Sequence, residues 1–149
     1  MSKNPLVRIT KYLLDFMFYS GIVVCVTVPF TFQVVGNIYT IFKKYYIPFC
    51  LIFMVAGVFA ILILRELRKM FHSIMAENPF VIENVNSLKR MGICSFVISF
   101  CMILRLLFVI TPAELILIAV FLIAGMFSMV LSLVFDRAVS YKEENDLTI

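Results

Sequence analysis

The sequence predicts an all-α, polytopic membrane protein with four transmembrane helices and an amphipathic cytoplasmic helical segment between the second and the third. Hydrophobic residues make up 63% of the 149-residue chain and charged residues only 15%, whereas a soluble domain is usually about a quarter charged. Four apolar runs are also long enough to cross a hydrocarbon core of about 30 Å, which takes about 20 helical residues.

The four predicted spans cover residues 12–35, 46–64, 91–110 and 113–135. Lipid offers a peptide group no hydrogen-bond partner, so a spanning segment must be a helix or a strand of a closed barrel. Barrel strands alternate polar and apolar residues over about ten positions, whereas these runs are longer and uniformly apolar. They are therefore predicted to be the helices of a single domain that covers residues 1–149.

The positions of Lys and Arg predict the orientation, because cytoplasmic loops are enriched in these residues. Two of them, Lys43 and Lys44, lie in the loop after the first span. Ten lie on the side that holds both termini: Lys3, Arg8, Lys11, Arg65, Arg68, Lys69, Lys89, Arg90, Arg137 and Lys142. The sequence thus predicts a multi-pass protein of the cell membrane with both termini, the segment 65–90 and the tail 136–149 in the cytoplasm.

The segment 65–90 is predicted to hold two amphipathic helices. The first continues the second span, with apolar residues at helical spacing: Leu67, Met70, Phe71, Ile74 and Met75. Asn78-Pro79 is predicted to begin the second helix, since Pro suits the first helical position after an Asn cap, and Asn4-Pro5 begins helix one in the same way. On the second helix we expect one face with Val81, Val85, Leu88 and Gly92, and other faces with Glu83, Asn84, Ser87 and Arg90.

Arg105 lies inside the third span, where an isolated charge costs about 2.5–3.5 kcal/mol or more. Thr111-Pro112 predicts a turn so tight that spans three and four form an antiparallel hairpin, which brings Glu114 to within about one or two helical turns of the depth of Arg105. The two residues are a candidate intramembrane polar pair. Two interpretations stay open: an ion pathway or anion site that faces outward, or a structural pair whose Arg side chain extends to the headgroups.

Other residues within the spans also have two interpretations. Asp15 lies four residues after Lys11, which predicts an i,i+4 ion pair. Pro29 is predicted to kink helix one, with Thr27 bonding a freed carbonyl, although broken helices also mark substrate sites in transporters. Small residues at four-residue spacing indicate close packing within the bundle or self-association into a homo-oligomer: Ala56, Ala60, Ser95, Ser99, Ala124, Ser128 and Ser132.

The sequence contains no pattern that is typical of a catalytic, cofactor or metal site. His72 is the only histidine, and no cysteine or acidic cluster accompanies it at metal-ligand spacing. No arrangement of nucleophile, histidine and acid, and no glycine-rich phosphate loop, is present. We therefore predict a protein that is not an enzyme, that needs no cofactor and that does not bind nucleic acid directly, with the lipid bilayer as its partner.

Two stretches carry a family resemblance. They are Asn78-Pro79-Phe80 followed by Glu83-Asn84-Val85 and Leu88-Lys89-Arg90-Met91-Gly92, and the ending Lys142-Glu143-Glu144-Asn145-Asp146-Leu147-Thr148-Ile149. They resemble the inner loop and the C-terminus of a bacterial family of small four-span membrane proteins, domain of unknown function 2975, and the resemblance covers essentially the whole chain. One departure is Glu77, where Gly is frequent in the family. The family has no established catalytic residues, and its members are often encoded beside a small helix-turn-helix regulator.

These observations support two functional hypotheses. In the first, the protein is a membrane sensor or sequestering partner of a small cytoplasmic DNA-binding regulator, which the family resemblance implies. Its candidate contact residues are Asn78, Pro79, Phe80, Glu83, Asn84, Lys89 and Arg90 in the inner segment, and Glu143, Glu144, Asn145, Asp146 and Leu147 in the acidic tail. In the second, it is a small transport- or immunity-type membrane protein that acts through the helix bundle around Arg105 and Glu114.

Overall fold

The computed structural model describes residues 4–148, and within them four long helices and one short helix form the fold. They are α1 (Pro5–Ile38), α2 (Thr40–Lys44), α3 (Tyr46–Met75), α4 (Ile82–Leu106) and α5 (Pro112–Leu147). Each of the long helices α1, α3, α4 and α5 is long and apolar enough to cross a membrane. The predicted all-α class with four candidate spans is therefore confirmed.

Helix α1 begins with the predicted cap, since the Asn4 side chain accepts a hydrogen bond from the backbone N–H two residues later and Pro5 takes the first helical position. The helix then runs through Pro29 without a break. The hydroxyl of Thr27 donates to the carbonyl of Val24 at 3.0 Å. It does not reach the carbonyl that Pro29 leaves free, four residues before the proline, so this part of the prediction is wrong.

The long helices form an open row in the order α1, α3, α4, α5. Helix α1 packs on α3, α3 on α4, and α4 on α5, whereas within residues 4–148 no Cα atom of α1 lies within 8 Å of a Cα atom of α4 or α5. An apolar groove of about 330 Å³ separates α1 from α5 and is floored by α3 and α4. The expected bundle is therefore open on the side of this groove.

Helix α4 is one of the two inner helices of the row and the most buried of the four. It is the least apolar of the four candidate spans. Nevertheless, half of the residues in its most apolar 18-residue stretch are buried, against 6% of those in the corresponding stretch of α1. The reason is its polar side chains, because lipid cannot hydrogen-bond a hydroxyl, an amide or a guanidinium. Asn84, Ser87, Ser95, Ser99 and Arg105 are all buried on α4, so Asn84 and Ser87 do not lie outside its packed face as predicted.

The helices of the row run between two ends of the protein, here called the hairpin end and the connector end, which are built from different segments. The hairpin end consists of residues 39–45 and 107–111. Here α4 ends at Leu106, four residues before the predicted end of span three, and α5 begins at Pro112 after a Thr111 cap. The connector end consists of residues 4–15 of α1, 65–75 of α3, the connector 76–81, the start of α4 over residues 82–90 and the extension of α5 over residues 136–148. At this end α3 and α5 continue as helices beyond their predicted spans.

The end of α3 is a Schellman motif, in which two backbone N–H groups beyond the helix bond back to its last turn. The N–H of Asn78 donates to the carbonyl of Ser73 at 3.1 Å, and the N–H of Glu77 donates to that of Ile74 at 3.0 Å. The motif places one residue in the left-handed region, usually Gly, and here that residue is Glu77 with φ 61°. This is the position at which the family resemblance expects Gly.

The predicted start of the following helix at Asn78-Pro79 is wrong, because α4 begins at Ile82 after the extended residue Val81. The backbone N–H of Asn78 completes the Schellman motif, and its side-chain oxygen accepts a hydrogen bond from Lys142. The side-chain oxygen of Asn78 therefore bonds to Lys142 rather than to the start of a helix. The carbonyl of Pro79 instead accepts a hydrogen bond from the side chain of Asn84 at 2.6 Å, which fixes the connector against α4.

Glu77→Gly is expected to make the protein more stable than Glu77→Ala by about 1 kcal/mol, because a Cβ in the left-handed region costs about that much. Both variants remove the same carboxylate. The difference between their free energies of unfolding therefore measures only the cost of a Cβ in the left-handed conformation at residue 77. The measurement is the free energy of unfolding in detergent micelles. Equal stabilities for the two variants would contradict the left-handed conformation of residue 77.

Candidate functional site

The two members of the candidate intramembrane pair meet at the hairpin end. Arg105 lies in the last turn of α4 and Glu114 in the first turn of α5. The Nη1 atom of Arg105 donates a hydrogen bond to Oε1 of Glu114, and the two residues are only 8% and 4% exposed. An acid at a helix N-terminus and a base at a C-terminus also interact favourably with the helix dipoles, so both helix ends favour these charges.

Aromatic rings enclose the Arg105 guanidinium. Its central carbon lies 5.0 Å from the ring centroid of Phe49 and 5.4 Å from that of Phe53. Phe49 is fully buried and packs in turn against Tyr45 and Phe108. A cation over an aromatic face gains up to about 2 kcal/mol when it is desolvated, so these rings replace part of the hydration that the guanidinium loses.

The Arg105–Glu114 pair does not use all of its hydrogen-bonding atoms. Nε of Arg105 and Oε2 of Glu114 are buried and bond to no other protein group within residues 4–148. A buried polar atom without a partner is costly. The pair therefore keeps one free donor and one free acceptor in an enclosed, low-dielectric site.

A second buried charge, Glu66 on α3, lies towards the connector end and was not predicted from the sequence. It is 6% exposed, and its Oε2 atom accepts a hydrogen bond from the Ser87 hydroxyl at 2.7 Å. Lys69 and Arg90 each place a nitrogen 3.6 Å from its Oε1 atom. The only sequence signal was the i,i+3 spacing of Glu66 and Lys69, since the contacts with α4 depend on the packing of the two helices. This cluster joins α3 to α4.

Asp15 pairs with a residue of another helix, so the predicted i,i+4 pair with Lys11 is wrong. The Nε atom of Arg68 lies 2.7 Å from Oδ1 of Asp15, and both side chains are 31% exposed. The same guanidinium lies over the rings of Phe18 and Tyr19. Because these rings hold the guanidinium on the α1 side, Arg68 rather than Lys11 neutralises Asp15 and fastens α1 to α3.

The candidate inner segment and the acidic tail lie side by side at the connector end. The tail is the helical extension of α5 rather than a separate segment, because α5 continues to Leu147. Lys142 Nζ donates to Oδ1 of Asn78 at 2.5 Å, and the rings of Phe80 and Phe135 are 5.4 Å apart between centroids. These contacts hold the extension of α5 against the connector.

A cleft of about 250 Å³, here called the connector cleft, lies between the connector and the extension of α5. Its walls are formed by Phe80, Val81, Ile82, Glu83, Val139, Lys142, Glu143 and Asp146. Phe80 and Ile82 are exposed large apolar side chains. The cleft therefore combines apolar side chains with three carboxylates and one amine.

The remaining candidate residues lie outside the cleft lining. Asn84 is buried behind the connector, and Arg90 extends towards Glu66. Pro79 is half-buried in the connector, and the others are exposed at the connector end: Lys89, Glu144, Asn145 and Leu147. The structure thus brings five of the twelve predicted contact residues to one place, namely Asn78 at the Lys142 bond and Phe80, Glu83, Glu143 and Asp146 in the cleft.

Comparison with known proteins identifies the family. No curated protein and no solved structure matches the chain. One family model does match, over residues 30–149, and its description is "Protein of unknown function (DUF2975)". The match includes three of the four long helices completely and the last turns of α1. The chain therefore belongs to the DUF2975 family.

Proposed function

We propose that this protein is a non-enzymatic docking protein of the cell membrane, which holds a small DNA-binding regulator at the cytoplasmic surface. Ten Lys and Arg residues on the side of the connector end, against two in the first hairpin loop, favour a cytoplasmic position for the connector end and both termini. The connector cleft then faces the cytoplasm, where a regulator can reach it.

The observation that supports docking is the connector cleft itself. Two segments about sixty residues apart in sequence, Phe80–Glu83 and Val139–Asp146, line one cleft with both apolar and acidic side chains. Glu83, Glu143 and Asp146 complement a basic surface, which is what a DNA-binding protein uses to contact phosphates. A regulator held here by that surface is kept from DNA, so docking and DNA binding exclude one another.

Binding to the regulator is expected to fall by about tenfold, or about 1.4 kcal/mol, in the double variant Glu143→Gln/Asp146→Asn. The protein is co-expressed with the helix-turn-helix regulator encoded beside it, and binding is measured by pull-down from detergent extract and by a split reporter in cells. The control is Asp136→Asn, which removes a carboxylate of α5 outside the cleft lining and outside the candidate contact residues and is expected to leave binding unchanged. Truncation after Arg137 is expected to abolish binding. A truncated protein that reaches the membrane at normal levels and still binds would contradict the proposal.

A second candidate function rests on the free buried atoms of the Arg105–Glu114 pair. A donor and an acceptor in an enclosed site are suited to a small polar solute, as in a transport- or immunity-type protein. Arg105→Ala would then abolish a transport or protection phenotype without lowering the amount of protein in the membrane. Loss of the protein itself would instead indicate a structural pair.

A further inference from the structure

We propose that the pocket between α1 and α3 at the connector end binds the headgroup of an anionic phospholipid. This pocket, here called the basic pocket, has a volume of about 470 Å³. Three residues of α1 and five of α3 form its walls: Lys11, Leu14, Asp15, Arg65, Arg68, Lys69, Phe71 and His72. It is distinct from the connector cleft, which is formed by the connector, the start of α4 and the extension of α5.

The charges in the basic pocket are unbalanced. Four cationic side chains and one carboxylate line it. Asp15 is already neutralised by Arg68 at 2.7 Å, and Lys69 lies 3.6 Å from Glu66. Lys11 and Arg65 have no ion pair or hydrogen bond from their side chains within the described part of the chain. Two unpaired cations from different helices therefore line the same concavity, as recognition of a phosphate group requires.

Arg68 joins the two helices that carry these cations. Its guanidinium lies 4.5 Å from the ring centroid of Phe18 and bonds to Asp15, so it holds α1 against α3 beside the pocket. Asp15 and Arg68 themselves line the pocket. The helices that carry Lys11 and Arg65 are therefore packed together at the pocket.

The surroundings of the basic pocket favour a lipid over a soluble phosphate. Leu14 of α1 and Phe71 of α3 are apolar side chains that line the pocket beside the cations. On α3 the apolar run ends at Leu64, directly before Arg65. A phospholipid whose phosphate occupies the pocket can lay its acyl chains along these apolar side chains, whereas a free phosphate ion gains nothing from them.

The double variant Lys11→Gln/Arg65→Gln is expected to bind phosphatidylglycerol about 30-fold more weakly than the unmodified protein, the effect of two charges near an anionic surface. The full chain is purified in micelles that contain equal amounts of phosphatidylglycerol and phosphatidylcholine, and the retained lipids are counted by native mass spectrometry. The unmodified protein is expected to retain phosphatidylglycerol in preference to phosphatidylcholine. Both substituted side chains are exposed, so unchanged circular dichroism and melting are expected.

The control is Lys43→Gln/Lys44→Gln, which removes the same charge from α2 at the opposite end of the protein and is expected to leave retention unchanged. Equal losses in the two double variants, or no preference for phosphatidylglycerol in the unmodified protein, would overturn the proposal. In a further experiment, inorganic phosphate is added to the protein with its retained lipids, and chloride at the same ionic strength serves as the comparison. Displacement of the lipid by phosphate but not by chloride would assign the pocket to a soluble phosphate and would likewise overturn it.

Discussion

Glu114→Leu is expected to lower the free energy of unfolding in micelles by about 3–5 kcal/mol, because it leaves the Arg105 guanidinium buried without a counter-charge. Arg105→Met is expected to cost less. A lone carboxyl group can be neutralised by a proton, whereas a guanidinium stays charged at every accessible pH. The order of the two single variants is therefore part of the prediction.

The double variant Arg105→Met/Glu114→Leu is expected to be closer in stability to the unmodified protein than either single variant. Replacing a buried ion pair by apolar residues of similar volume is often neutral or stabilising, whereas removing one partner is strongly destabilising. Unfolding of the four proteins, followed in a denaturant series, gives the coupling energy of the pair. Additive effects would show that the two charges do not interact, in disagreement with the structure.

The Asp15–Arg68 pair provides the matched control for this cycle. It joins the same two chemical groups across two helices, but both side chains are 31% exposed. Exposed pairs contribute at most about 1 kcal/mol, so the cycle of Asp15→Leu and Arg68→Met is expected to give a much smaller coupling. The Arg105 double variant also separates the two candidate functions, because a stable protein without its phenotype would assign the pair to transport or immunity.

The contact between Arg105 and Glu114 follows from features that the sequence displays directly. Both residues flank a short connection, so the hairpin brings their side chains close together. The contact between Glu66 and Ser87 has no such local origin, because it depends on the angle at which α3 and α4 cross after the connector. The same holds for Arg68, which reaches Asp15 on a helix more than fifty residues away.

The error at Asn78-Pro79 has a different cause. The local cap signal is real, but the same Asn is the second residue beyond the end of α3, where its N–H closes the Schellman motif. The cap pattern and the Schellman motif both use Asn78. In the structure this residue ends α3 and does not begin α4. The departure from Gly at position 77 was visible in the sequence, yet only the observed φ of 61° gives it a physical meaning.

Gly92→Ala is expected to destabilise the protein by about 1–3 kcal/mol, the usual cost of overpacking. A Cβ on Gly92 would lie 2.8 Å from the side chain of Met129 and 3.2 Å from the carbonyl oxygen of Gly125. Met129 can move, but the carbonyl belongs to the backbone of α5, so α4 and α5 must separate. Separation also strains the hydrogen bond by which the Ser128 hydroxyl donates to the carbonyl of Leu88 at 2.7 Å.

Close approach matters more in a membrane than in water, because lipid gives apolar helices no hydrophobic reason to associate. The small residues that line the contact between α4 and α5 include Ser99, whose hydroxyl donates to the carbonyl of Ile118 on α5 at 3.2 Å. Ala124 was predicted to belong to the small-residue stripe of α5, but it is exposed. Self-association through that exposed face stays a prediction.

Gly21→Ala is the matched control for Gly92→Ala, with an expected effect of opposite sign. A Cβ on Gly21 would make ordinary contacts of 3.8 Å with Ile61 and 3.9 Å with Leu64, so nothing has to move. Replacing Gly by Ala inside a helix then stabilises by up to about 0.5–1 kcal/mol. Thermal unfolding in micelles measures both variants. If Gly92→Ala stabilised the protein as much as Gly21→Ala, α4 and α5 could not approach each other as closely at Gly92 as the structure places them.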